Sequence, residues 1–211
     1  MRTAALIQAR LGSKRLPGKV LLPMKGMPIL EIIWMAIQKC RTVDTAFICT
    51  PIDDVETILK HLQVGSSLFS ADVPEDDLAA RFLRLCETEG ITHFVRICAD
   101  SPFLHPALVD WCMAEHLATG RAVTQLMGMP AGQQPQAYSV EALRRAYLTM
   151  TPQQREHCIL NPMPRASVNH RIKLTVDTQE DYNRLKPLYE SLPKCHWEMT
   201  WPDLFKIIRT A

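Results

Sequence analysis

Residues 7–19 read Ile7-Gln-Ala-Arg-Leu-Gly-Ser-Lys-Arg-Leu-Pro-Gly-Lys19. The apolar run that leads into them (Ala4, Ala5, Leu6, Ile7) predicts a buried strand that stops where Gln8 and Arg10 begin. Residues 10–19 then hold four cations (Arg10, Lys14, Arg15, Lys19), a hydroxyl (Ser13), two glycines (Gly12, Gly18) and Pro17, and a new apolar pattern starts at Val20. Glycine lets the backbone approach a ligand and expose its N–H groups, while lysine and arginine neutralise negative charge. This is the chemistry a triphosphate requires. A solvated basic loop is the plainer alternative, but a glycine-bearing loop directly after a first strand favours phosphate.

Outward from this loop the periodicity alternates. A strand at 3–9 leads to a helix at 28–41, whose first turn suits Pro28 and whose stripe is Leu30, Ile33, Trp34 and Ile37. Ala46–Thr50 is a short buried strand, and Asp53 and Asp54 open a helix where its dipole favours negative charge. A weak strand at Leu68-Phe69 precedes a helix over 75–89, ended by Gly90. Thr92–Cys98 is a strand closed by Ala-Asp-Ser-Pro at 99–102, and a helix follows from Pro106 to Ala118. The Gln-, Met- and Pro-rich region 121–170 carries two short strands (122–126, 135–138), a helix at 139–149 and irregular chain around Asn161–Pro164. A strand over Arg171–Val176 ends at Asp177, Thr178 caps a helix running to Ser191, and a short helix occupies 200–210. Such alternation predicts a three-layer α/β/α fold with a mostly parallel sheet.

Composition limits the alternatives. A chain of 211 residues, 47% hydrophobic and 22% charged, fits one soluble domain, with 121–170 as an acceptor-side or dimerisation insertion. A net charge of +2 is too mild for a nucleic-acid coat, so the basic loop points to a small anion. Seven scattered cysteines without a C-x-x-C pair read as buried hydrophobes of a reducing cytoplasm rather than as a disulfide or zinc framework. No leader segment is apparent, and no apolar stretch is long enough to span a bilayer.

Ligands of open α/β sheets bind beyond the carboxyl ends of the strands. Three polar clusters fall there: the 8–19 loop, Asp100 and Asp177. A cationic loop with two separate carboxylates suits a triphosphate and its Mg2+, which takes one or two carboxylates and completes its shell with phosphate oxygens and water. A turn role for Asp100 and a helix-cap role for Asp177 remain open beside that reading.

Neither standard nucleotide fingerprint, G-x-x-x-x-G-K-S/T or G-x-G-x-x-G after a strand, is present. Instead, residues 7–19 resemble the opening motif of the cytidylyltransferases that make CMP-activated sugar acids: CMP-KDO synthetases, CMP-sialic acid synthetases and, nearest, the spore-coat polysaccharide group. The match continues in order along nearly the whole chain. Glu75-Asp-Asp-Leu-Ala-Ala-Arg-Phe82 resembles that group's E-D-D-V-L-D-R-Y. Val95-Arg-Ile-Cys-Ala-Asp-Ser-Pro102 resembles V-R-I-T-G-D-C-P. Arg155-Glu-His157 and Thr175-Val-Asp-Thr-Gln-Glu-Asp181 resemble R-E-H and T-V-D-T-P-E-D.

The resemblance implies a GT-A-like fold, CTP as donor, Mg2+ as cofactor, an anionic sugar acceptor whose hydroxyl attacks the α-phosphate to release pyrophosphate, and a homodimer. Carried over by position, Arg10, Ser13, Arg15 and Lys19 cradle the phosphates, and Gln8 and Ala9 meet the cytosine. Arg81 contributes to the nucleotide pocket, Asp100 and Asp177 hold the metal, and Arg10, Lys19 and Asp100 carry catalysis. Gln134, Gln136, Arg155 and His157 face the acceptor, an arginine fork suiting a sugar carboxylate. His157 is also a candidate base, and the base is left unassigned. Met127, Met129 and Trp201 look exposed and suit an interface.

The motifs depart in two places. Where the family reads G-L-D-V-E-V, this chain has Gly132-Gln-Gln-Pro-Gln-Ala137, with amides at Gln134 and Gln136 in place of acids and Pro135 removing a strand donor. Ser70-Ala71 stands where Arg-Gly is usual. Three readings follow: an active cytidylyltransferase for a sugar acid or related polyol, a nucleotidyltransferase of another base specificity, and a nucleotide-binding homologue with altered or lost acceptor activity.

Overall fold

The structure, a computed structural model, describes residues 1–62, 65–160 and 169–209. Its elements follow in chain order. Strand β1 (Thr3–Gln8) and the basic loop lead through a 3-10 turn at Lys19–Leu21 to the hairpin β2 (Pro23–Met24) and β3 (Met27–Pro28), then α1 (Ile29–Ile37). Next come β4 (Thr45–Cys49), α2 (Val55–His61), β5 (Leu68–Phe69), α3 (Leu78–Glu89), β6 (His93–Cys98) and α4 (Pro106–Thr119). The region after Gly120 supplies β7 (Val123–Gln125), β8 (Pro130–Ala131), β9 (Gln136–Ser139), α5 (Val140–Tyr147) and α6 (Pro152–His157). The chain closes with β10 (Asn169–Lys173), α7 (Gln179–Glu190), a 3-10 turn at His196–Glu198 and α8 (Trp201–Ile208).

Six strands form the main sheet in the order β5-β4-β1-β6-β9-β7. The first four run parallel, and only β9 opposes its neighbours. Both faces are covered, as the three-layer reading expects. Ala5 and Ile7 of β1 face a core built with Ile33 of α1, Val109 of α4, Leu185 of α7 and Leu204 of α8. Ala4 and Leu6 face the other core, with Phe82 of α3, Phe94 of β6 and Leu143 of α5. Period-two alternation along one fully buried strand therefore feeds two cores at once.

Local chemistry sets the boundaries. Asp77 caps α3 by accepting from Ala80 N at 2.9 Å, and Gly90, at φ 64°, ends it. Thr178 and Asp181 cap α7 reciprocally. Three expectations need adjustment. Helix α1 is shorter than 28–41, and Pro28 is its N-cap rather than part of its first turn. The final strand lies at 169–173 and pairs with β8 in a separate two-stranded sheet instead of joining the main one. Helix α6 occupies chain that periodicity left without an element, although Thr151 and Gln154 form a capping box there. The irregular stretch expected at Asn161–Pro164 lies outside the described residues. Met127 is exposed, but Met129 and Trp201 pack against the core. All seven cysteines are free thiols. Among the described residues, no helix is long and apolar enough to cross a membrane.

Candidate active site

The basic loop is closed by its own backbone. Leu11 O accepts from Ser13 N and from Gly18 N, each at 2.9 Å, and Leu11 N donates to Asp54 Oδ2 at 2.8 Å. Gly18 sits at φ 69°, a left-handed conformation that a side chain would strain, and from there the chain turns directly into Lys19. The result is that Lys19, at the end of the cationic motif, is fixed over the ends of the central strands.

Two aspartates meet it. Asp100 follows β6, and its backbone carbonyl accepts from Val176 N at 2.8 Å, which draws the segment after β10 alongside. Lys19 Nζ then lies 2.7 Å from Asp100 Oδ2 and 3.2 Å from Asp177 Oδ1. Arg15 reaches Asp177 Oδ1 at 2.9 Å, and Lys173 reaches its Oδ2 at 3.1 Å. Thr175 Oγ1 donates to Asp177 Oδ2, and Ser101 Oγ donates to Asp100 Oδ1. Burial opposes ionisation of Asp177, but Lys173 and Lys19 outweigh it and hold the carboxyl below its ordinary range. The cap of α7 is made by Thr178 and Asp181, so the Asp177 carboxylate is not used there.

Three clefts adjoin this centre. The middle one, about 340 Å3, is lined by Arg10, Ser13, Arg15, Lys19, Asp100 and Asp177, with Gln8, Glu156 and His157 at its edge. Gln8, Arg10, Glu156 and His157 also border a smaller cleft of about 70 Å3, completed by Ala9, Glu75 and Arg81. Asp100 and Cys98 are shared instead with a third cleft of about 260 Å3, lined by Arg96, Ser101, Gly132, Gln134, Gln136 and Thr175.

The expected site residues are thus distributed as follows. Gln8, Ala9, Arg10, Ser13, Arg15, Lys19, Asp100, Asp177 and His157 line the first two clefts. Arg10 pairs with Glu156 at 3.3 Å. Arg81 is buried and donates to Pro74 O and Glu75 O, so it holds the turn that carries Glu75 to the small cleft. Gln134 and Gln136 line the third cleft, and Pro135 lies just outside β9, where its missing N–H costs no ladder bond. Arg155 is not brought to that cleft. It stacks over the Tyr147 ring at 4.4 Å and lies 3.7 Å from Asp77 Oδ2, on the α3–α6 side.

Sequence reasoning did not single out Arg96, Glu156 or Lys173. Arg96 and Gln136 are direct partners in the β6–β9 register, and Arg96 Nη1 donates to Gln136 Oε1 at 3.0 Å. Its Nε donates to Gln8 Oε1 at 2.7 Å. Gln8, Arg96 and Gln136 therefore form a polar row across β1, β6 and β9, joining the middle cleft to the third.

A family model described as cytidylyltransferase matches residues 4–198. The spore coat polysaccharide biosynthesis protein SpsF of Bacillus subtilis is 28% identical over 206 residues, covering 88% of this chain and 85% of that protein. The 3-deoxy-manno-octulosonate cytidylyltransferase of Chromohalobacter salexigens is 33% identical over 108 residues, 50% of this chain and 41% of that protein. Among solved structures, a cytidylyltransferase from Leptospira borgpetersenii serovar Hardjo-bovis superposes with a TM-score of 0.83 at 25% identity, covering 100% of this chain and 94% of that one. With the fold, the loop and the paired aspartates in one place, the chain belongs to the cytidylyltransferase family.

Proposed function

We propose that the protein transfers a cytidylyl group from CTP to a hydroxyl of a sugar acid and releases pyrophosphate. The observation that carries this reading is the convergence of Lys19 on Asp100 and Asp177 at the junction of three clefts. The small cleft beside Gln8, Ala9 and Arg81 suits the base, the middle one the triphosphate, and the third the acceptor. The names of the two sequence relatives, one a cytidylyltransferase for an octulosonate and one a polysaccharide biosynthesis protein, support a sugar acceptor.

Asp100 and Asp177 fit a hard divalent cation. They offer carboxylate oxygens from adjoining segments, and the described residues gather no cluster of three or more His, Cys, Asp or Glu that would form an all-protein cage. Mg2+ is commonly held in this open way, with phosphate oxygens and water as further ligands. Bound there, it would polarise the α-phosphate and offset charge on the leaving group.

The chain's own residues do the positioning. Arg10, Arg15 and Lys19 neutralise the phosphates, Lys19 being held in place by Gly18. The acceptor oxygen bonds to the α-phosphorus as the bond to pyrophosphate breaks, and the hydroxyl proton leaves to solvent. The test is pyrophosphate release from CTP, ATP, GTP and UTP over a panel of sugar acids. CTP-dependent release that Asp100→Asn abolishes is the expected result. Full turnover by Asp100→Asn, or release with every nucleotide but CTP, overturns the reading.

A further inference from the structure

We infer that Arg96 is the acceptor-specificity residue, binding a carboxylate of the acceptor in the cleft that it lines with Gln134 and Gln136. The inference deepens the proposed function and rests on its assignment of that cleft to the acceptor.

The first observation is an imbalance of charge. Elsewhere in the site the cations that point into the centre meet carboxylates: Lys19 meets Asp100 and Asp177, Arg15 meets Asp177, and Arg10 meets Glu156, while Lys14 lines the middle cleft without an ion pair among the described residues. Arg96 does not. Its Nε and Nη1 donate to the neutral amide oxygens of Gln8 and Gln136, and the other groups that act on it are the Tyr138 hydroxyl and the Cys98 and Cys158 thiols, with no carboxylate among them. A guanidinium cannot shed its proton, so a half-buried one with only neutral partners keeps a full positive charge in reduced contact with water.

The second observation is what surrounds it. Among the described residues, the charged ones lining this cleft are Arg96 and Asp100, and Asp100 is engaged by Lys19 at 2.7 Å. A ligand entering here therefore meets one unpaired cation. A monoanionic carboxylate balances it and can take two parallel N–H bonds from the guanidinium. A phosphate monoester would bring a second negative charge close to Asp100, so the carboxylate is the better match.

The third observation explains the amides. Gln136 Oε1 accepts from Arg96 Nη1 and lies 2.9 Å from the Tyr138 hydroxyl, which fixes its oxygen toward both donors. A glutamate of the same length would make the same two bonds and would also neutralise Arg96. Glutamine positions the guanidinium and leaves its charge for the acceptor. The Gln136 amide thus leaves the Arg96 charge available to an acid group of the acceptor.

The test titrates the full-length chain with 3-deoxy-manno-octulosonate beside its methyl ester, glucuronate beside glucose, and glucose 6-phosphate, following affinity and the 15N-edited Arg96 Nε–H signal. At least one acid should bind about tenfold more tightly than its neutral counterpart and shift the Arg96 signal, since a charge-assisted hydrogen bond is worth about that factor. Gln136→Glu should remove the preference, and circular dichroism checks that this variant folds. The inference is overturned if acid and neutral probes bind alike, if no acid binds, if glucose 6-phosphate binds more tightly than the acids, or if the preference survives in folded Gln136→Glu. Should that variant fail to fold, the wild-type comparison and the Arg96 signal still decide. CTP titration of the same chain is read separately: its failure would strike the proposed function and leave the acid titration to judge Arg96.

Discussion

The two ends of the site are built on opposite electrostatic plans. At the end proposed for the phosphates, Arg10, Arg15, Lys19 and Lys173 are interleaved with Glu156, Asp100 and Asp177, so cations and carboxylates hold one another in place. At the end proposed for the acceptor, amides of Gln8 and Gln136 hold a single guanidinium. The first plan suits a ligand of several charges accompanied by a metal, because charges of both signs are needed to receive both. The second suits one well-placed negative group. Breaking either plan should have different consequences.

The largest effect is expected at the phosphate end. Lys19→Ala removes a preorganised cation and should cost about 3–4 kcal/mol of transition-state stabilisation, a fall of about 10^2- to 10^3-fold in pyrophosphate release. A melting temperature close to wild type would show that the loss is chemical. If the variant keeps wild-type turnover, the ionic plan does not serve catalysis.

Acid should act on the acceptor side first. His196 bonds Leu104 O, and Leu104 lines the third cleft; burial holds this histidine down to about 3. In the unfolded chain it charges below its ordinary value of 6.5. The folded state therefore binds fewer protons between these values, and stability that is complete above pH 6.5 falls as the pH drops toward 3. By pH 5 the loss from His196 should be roughly 2 kcal/mol. His116, pushed down to about 4 by burial, acts in the same direction. Asp177, held below 3.8, stays ionised at pH 5. Urea melts at pH 7 and 5 measure the fall, and His196→Gln should flatten it; equal stability at both pH values would contradict it.

Gly132 joins the two ends. It sits at φ 90°, and a Cβ there would come within 3.1 Å of Leu174 C and 3.2 Å of Leu174 O, in the segment that carries Thr175 to Asp177. Gly132→Ala should destabilise the fold by about 1–3 kcal/mol and loosen Asp177 as well, so turnover and melting temperature should fall together. Loss of neither would uncouple the ends.

The smallest effect belongs to Arg155, which the motif match placed at the acceptor and the geometry sets against Tyr147 and Asp77. Arg155→Ala should lower stability by about 1 kcal/mol with little change in acceptor KM. A tenfold rise in that KM would return Arg155 to the acceptor.

The same contrast governs what could be read from the chain. Strand β1, its loop, α3 and α7 were legible because each is a local pattern: an apolar run, a charge cluster, a cap followed by a stripe. Asp100 and Asp177 could be paired on the rule that ligands bind beyond strand ends, although the structure joins them through the Val176 N–H to the Asp100 carbonyl rather than through one sheet. The association of β8 with β10 was hidden, since the two-residue β8 has no period and its pairing is tertiary. Helix α6 left a signal in Thr151 and Gln154, but its six residues show no apolar stripe. Arg96 was hidden for another reason. An arginine inside a strand signals nothing until its cross-strand partner is known, and only the register with Gln136 shows that it lacks an acid.

The central claim is that one continuous site passes the cytidylyl group from its phosphate end to its acceptor end. CTP labelled at the α-phosphate, incubated with Mg2+ and a sugar acid that binds the third cleft, tests it directly. The account predicts one labelled sugar phosphodiester for each pyrophosphate released. Pyrophosphate without label on the sugar, or no release while both ligands are bound, would contradict it.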